Sequence, residues 1–419
     1  MIADEEYGDT NDFAAVSAQD PTLAHLLRAE FRRQSTSLQL MAGENFASSA
    51  VMEALGSVLM NKYAEGRPGR RLHGGCEIVD EIELLAEQRA TEVFGAEHAN
   101  VQPYSGTSSV YAAYFSVLKP GDAVLAMSPA QGGHYTHGYS ETIASRWFDF
   151  IEYGVNGDTG ILDYDQIRDL ARDKRPRAIL CGANAYPRTI DYALFRQIAE
   201  EVHAYLIVDA CPTAGLIAGG VVPNPVPYSD IVCVVTHKTL RGPRGGILLG
   251  RSYLADRLDD AVYPFSQGGP HMHSIAAKAT ALAEAATPQF AAYAFQTVAN
   301  AQHLAAALIN EGILLATGGT DTHQVIIDVT SLGISGLEAR ARCARSEIVL
   351  DACHLPHAPQ RSIDAGTGIR LGTAAVTTQG MLEPQMENIA SFIARALRDA
   401  EGRDTESLTN AVRSLVSQF

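Results

Sequence analysis

Residues 205–215 read "YLIVDACPTAG": an apolar run of strand length, then Asp209, a cysteine, a proline and small residues. An acid placed where a buried strand ends either caps the next helix or is a charge held for chemistry. Outward from this stretch, "AVLAM" at 123–127, "AILCG" at 178–182 and "IVCVVT" at 231–236 have the same character, and longer amphipathic segments, among them a helical stretch from Glu83 to Phe94, lie between them. Apolar runs of strand length that alternate with helical patterns predict an α/β layer around a mostly parallel sheet. Ligands of such sheets gather beyond the carboxyl ends of the strands, which is where Asp209 and the pair His237–Lys238 fall.

Past residue 270 the texture changes to an Ala-rich helical stretch broken by Pro288, then short strands "QVIIDV" and "GIRLGT" and a final helix. The expected organisation is an N-terminal arm or pair of short helices over 1–35, a large domain over 36–287 and a smaller α+β domain over 288–419. With 419 residues, 46% hydrophobic and 19% charged, the chain can bury a sizeable core. A formal charge of -16 repels polyanions, so nucleic acid is not an expected partner. The acidic start "MIADEEYGDTNDF" lacks the basic and apolar regions of a secretory signal, and no apolar run reaches membrane-spanning length, so a cytoplasmic protein with no membrane contact is expected. Six scattered cysteines without a C-x-x-C pair suit reduced core thiols better than disulfides or a metal site.

"VVTHKTLRGPRGG" at 234–246 is the most informative motif. A lysine just past a buried strand is desolvated, which lowers its pKa and suits Schiff-base chemistry with an aldehyde; taken alone, it would read as a surface lysine before a Gly-rich turn. "QPYSGTSS" at 102–109 sets Ser105, Gly106 and Thr107 at the start of a helix, where free N–H groups and hydroxyls can cradle a phosphate or simply cap the helix. "QGGP" at 267–270 offers a second glycine-rich surface or a plain turn. Phosphate cradle, strand-end aspartate and strand-end lysine, in that order, are the parts of a pyridoxal phosphate site: the carboxylate keeps the ring nitrogen protonated so that the ring can accept electrons.

Over nearly its whole length the chain resembles the serine hydroxymethyltransferase family. The resemblance rests on "LMAGENFASSAVMEALGSVLMNKYAEGRPGRRLHGG", "NVQPYSGTSS", "GGHYTHG", "THKTLRGPRGG", "QGGPHMH" and "GIRLGT", in the family's order and spacing. It implies a fold type I pyridoxal phosphate enzyme, with a seven-stranded type of sheet in the large domain, and a homodimer with shared active sites. By position, Lys238 would form the Schiff base, Asp209 would pair with the ring nitrogen, and His134 would stack on the ring. Ser105, Gly106 and Thr107 would hold the phosphate, with Tyr63 and the Gly268–Gly269 backbone reaching in from the other subunit and His237 nearby. Arg370 would grip the substrate's α-carboxylate, and Glu65 from the neighbouring subunit would transfer a proton.

Departures from the family pattern cluster where substrate and folate bind. Gly43 replaces a serine near the amino-acid carboxylate, Leu72 and His73 replace paired tyrosines, and Tyr135 replaces the leucine after the stacking histidine. The pterin-binding "N-x-N" is Asp351 to Cys353, Asn184 replaces a serine near the cofactor's phenolic oxygen, and Pro212 replaces a histidine. Losing paired donors and acceptors costs selectivity steeply. The expectation is therefore an enzyme acting at Cα of a β-substituted α-amino acid without folate, in specialised, antibiotic-type biosynthesis, similar to threonine transaldolases or to the cysteine-conjugate enzymes of lincosamide pathways. A genuine tetrahydrofolate-using hydroxymethyltransferase and a non-catalytic scaffold dimer are the alternatives.

Overall fold

The computed structural model describes residues 13–355 and 366–419; residues 1–12 of the expected arm, and 356–365, lie outside the described residues. Seven strands form the main sheet: β1 (His98–Asn100), β2 (Ala123–Met127), β3 (Asp149–Tyr153), β4 (Ala178–Gly182), β5 (Tyr205–Asp209), β6 (Ile231–Val235) and β7 (Gly246–Gly250). Their order is β1-β7-β6-β5-β4-β2-β3, parallel except for β7, which runs antiparallel to both its neighbours. Four of the strands are the apolar runs read from the sequence. β3, "DFIEY", carries charges because it is an edge strand, and β1 is too short to show a period.

Every residue of β4 and β6 is buried, as a parallel sheet covered on both faces requires. Helices Tyr164–Lys174 and Tyr192–Val202 precede β4 and β5, and each starts on an aspartate whose carboxylate accepts a backbone N–H: Asp163 from Gln166 and Asp191 from Leu194. Helix Gly106–Val117 is apolar on most sides and buries Val110, Ala113, Tyr114 and Val117 in one core with β2, β4, β5 and β6.

Contacts divide the described residues into two compact units, one of 45–295 with Leu355, the other of 13–44, 296–354 and 366–419. The sequence suggests a break before Pro288, but that proline opens an uninterrupted helix, Pro288–Asn310, and the contacts divide inside it. Residues 36–44, expected in the large domain, cluster with the C-terminal unit. There Leu38–Gln39 pairs in parallel with Ile348–Val349, and Leu38 and Leu40 are core residues. This unit carries an antiparallel sheet, β8 (Leu314–Leu315), β9 (Gln324–Asp328), β10 (Asp351–Cys353) and β11 (Gly368–Gly372), in the order β8-β9-β11-β10. No helix among the described residues is long and apolar enough to cross a membrane.

Candidate active site

At the carboxyl ends of β5 and β6 a cavity of about 190 Å³ is lined by Ser105, Gly106, Thr107, His134, Asn184, Asp209, His237 and Lys238. These eight and Pro212, all singled out in the sequence, thus meet in one place. Cys211, Pro212 and Arg244 complete much of the wall.

Ser105 caps helix Gly106–Val117: its hydroxyl accepts from Ser108 N at 3.1 Å, and Ser108 Oγ accepts from Ser105 N at 2.9 Å. A Cβ on Gly106 would lie 2.5 Å from Val235 Cγ1, so only glycine lets the helix start come this close to the end of β6. The turn before it is held from below by the fully buried Lys278, whose Nζ donates to the carbonyls of Val101, Pro103 and Gly246 at 2.6, 2.9 and 2.9 Å. Lys278 was not singled out in the sequence because nothing in an Ala-rich helix marks one lysine as inward-facing.

Asp209 ends β5 opposite Gly182, whose φ of 140° no side chain would adopt readily and whose Cβ would strike the Asp209 carbonyl at 2.3 Å. Its Oδ1 accepts from Cys211 N at 3.0 Å, and its Oδ2 lies 3.0 Å from His137 Nε2. The N–H of His134 donates to His137 Nδ1, which leaves the His137 proton on Nε2, facing Asp209. Burial works to raise the Asp209 pKa, but the His137 hydrogen bond, with His134 and the Cys211 N–H, outweighs it and holds the carboxyl well below the usual range. His137 is not singled out by the sequence either; it stands in the quoted "GGHYTHG", three positions after His134.

His237 is pushed the other way for a base: burial, then the charges of Arg244 and Lys238, lower its pKa to about 3, so it is neutral at physiological pH. Its Nδ1 is buried with no hydrogen-bond partner among the described residues. Arg244, in the same wall, lies in the "RGPRGG" turn already quoted but not singled out. The main chain of Lys238 is clamped: Asn45 Nδ2 donates to the Lys238 carbonyl at 3.0 Å, and Tyr293 Oη donates to the Thr239 carbonyl at 3.2 Å. Burial, then the charge of Asp209, pushes the Cys211 thiol up, so it is a protonated wall and not a nucleophile.

Tyr63, Glu65, His73, Gly268 and Gly269 form a second cluster that does not line this cavity. His73 Nε2 is 3.1 Å from Glu65 Oε2, the Tyr63 and His73 rings meet edge to face at 4.9 Å, and the Tyr63 ring lies against Gly269. Tyr135 is 58% exposed and also stands outside the cavity wall. In the C-terminal unit, Gly43 sits in the turn closed by Glu44 N donating to the Met41 carbonyl, and Arg370 lies mid-strand in β11, paired with Asp351.

The cavity fits pyridoxal phosphate by its own chemistry: a helix start open to phosphate, a carboxylate held ionised in the interior, an unpartnered imidazole nitrogen and a lysine in one wall. Fold and site define a fold type I pyridoxal phosphate enzyme. A family model for serine hydroxymethyltransferase matches residues 16–393. The chain belongs to the serine hydroxymethyltransferase family, whose members are pyridoxal phosphate-dependent transferases acting on amino acids.

Proposed function

We propose that this member of the family acts at Cα of a β-substituted α-amino acid without tetrahydrofolate, in a specialised biosynthetic role. Pro212 carries the reading: it lines the cavity beside Asp209 and Lys238, and its side chain offers neither donor nor acceptor. Pyridoxal phosphate, when bound, supplies an electron sink for the bond broken at Cα. Lys238 would hold the cofactor's aldehyde carbon, and Asp209, held ionised by His137, would keep a proton on the ring nitrogen. Helix-start N–H groups at Gly106 and Thr107, with the Ser105 and Thr107 hydroxyls and the Arg244 cation, would hold the phosphate. His134 would stack on the ring, Asn184 would meet its phenolic oxygen, and Arg370 would receive the substrate carboxylate.

Glu65 Oε2 and His73 Nε2 hold and move a proton. Because their cluster stands off the cavity of its own subunit, we assign it, with Tyr63 and the Gly268–Gly269 backbone, to a partner's site in a cytoplasmic homodimer. Val58, Leu72 and Ile78, at 80, 69 and 65% exposure, support such a contact. Two reactions share this first half: Cα–Cβ aldol or transaldol cleavage, and β-elimination or decarboxylation of a cysteine conjugate.

The deciding experiment records the visible spectrum of the holo-protein with glycine, with and without tetrahydrofolate. No folate effect is expected; a strong folate-dependent rise in absorbance restores the hydroxymethyltransferase reading, which the retained Tyr63, Glu65 and His134 favour. Product masses from threonine with added aldehydes, and from S-substituted cysteines, then separate the two reactions.

A further inference from the structure

Antiparallel pairing of β10 with β11 sets Asp351 directly opposite Arg370, and β9 on the other side sets Ile326 opposite the same residue. Directly opposed residues hold their Cβ atoms within reach of one another, so the backbone register itself gives Arg370 one charged neighbour and one apolar one. Nη2 of Arg370 donates to Asp351 Oδ2 at 2.6 Å, and the two side chains are only 11% and 20% exposed. A guanidinium grips a carboxylate through a fork of parallel N–H groups. Here one prong already serves Asp351, in partly enclosed surroundings where charge interactions are screened less than at an open surface. A second carboxylate arriving at Arg370 meets a cation whose charge is countered, and it meets a like charge beside it.

We propose that Asp351 is a specificity-determining residue: it competes inside the protein for Arg370, weakens the grip on a free carboxylate, and so narrows the site's preference for an amino acid over its neutral amide. This rests on the reading that Arg370 receives the substrate carboxylate, and the test separates the two. Calorimetric titration of the holoenzyme with glycine and with glycinamide gives a ratio of dissociation constants in which the amine step, common to both ligands, cancels between variants. Asp351→Asn, which keeps shape and removes charge, is expected to tighten glycine about tenfold, while glycinamide changes less than about twofold. Arg370→Gln is expected to weaken glycine about tenfold or more with little effect on glycinamide. If Arg370→Gln collapses the preference and Asp351→Asn leaves it unchanged, the pair is only a cross-strand bridge and the inference fails while the reading of Arg370 stands. If Arg370→Gln leaves the preference unchanged, Arg370 is not the carboxylate receptor and both fall. Asp351→Ser, also uncharged, gives the same readout should the asparagine variant not fold.

Discussion

Asp209, on a strand of the seven-stranded sheet, and Asp351, on the edge strand of the four-stranded one, are both held by a nitrogen donor, yet they are held to different ends. Asp209 is 7% exposed and is fixed by a histidine Nε2–H and a backbone N–H, neither of which needs to move for a ligand to approach. Asp351 is fixed by Arg370, the group we propose for the substrate carboxylate. One carboxylate lines a cavity with its charge held in place, and the other is countered by a cation on the neighbouring strand. The charge of Asp209 is therefore held by local geometry, whereas that of Arg370, the residue we propose for the substrate carboxylate, is countered by one side chain on a neighbouring strand.

The strongest way to break this contrast is at Asp209 itself. Asp209→Asn keeps a hydrogen-bond acceptor for His137 but removes the charge, and turnover is expected to fall on the order of 10³-fold. Turnover within tenfold of wild type would show that the buried charge is not what the site needs. Next in size is Lys278→Met, which takes one ammonium donor away from the carbonyls of Val101, Pro103 and Gly246 beneath the Ser105–Thr107 turn, of which Pro103 keeps the Gly246 N–H. Urea unfolding is expected to show a loss of about 1–3 kcal/mol, the cost of leaving buried carbonyls without a donor. A much smaller loss would mean that the turn is held by packing alone.

The smallest effect tests the cavity's other perturbed group. His237 titrates near 3 in the fold against an ordinary 6.5, so below pH 6.5 the unfolded chain binds a proton that the folded chain refuses, and stability falls as pH drops toward 3. The slope from this one group is at most about 1.4 kcal/mol per pH unit. Cofactor-free His237→Asn is expected to lose that slope between pH 6 and pH 5 in urea titrations, and an unchanged slope would mean that His237 is open to solvent there.

Much of this was legible along the chain because parallel strands buried on both faces are continuous apolar runs, and the residues at their carboxyl ends are then the cavity wall. β2, β4, β5 and β6 were readable for that reason, and Asp209, His237 and Lys238 followed from them. β3 was not, since an edge strand keeps its charges, and Lys278 and His137 were not, since each acts through an orientation that its neighbours in sequence do not show. The N-terminal residues up to Glu44 read as arm and large domain, but the pairing of Leu38–Gln39 with Ile348–Val349 joins segments roughly three hundred residues apart, which no local pattern records.

By itself the sequence determined the family, the cofactor chemistry and the strand ends that carry it, because motif spacing and apolar periodicity are local properties of the chain. Only the tertiary structure decided which groups satisfy one another: His137 on Asp209, Lys278 under the Ser105–Thr107 turn, and Asp351 on Arg370. Those pairings depend on strand register and helix rotation, and both are set by packing between segments far apart in the chain.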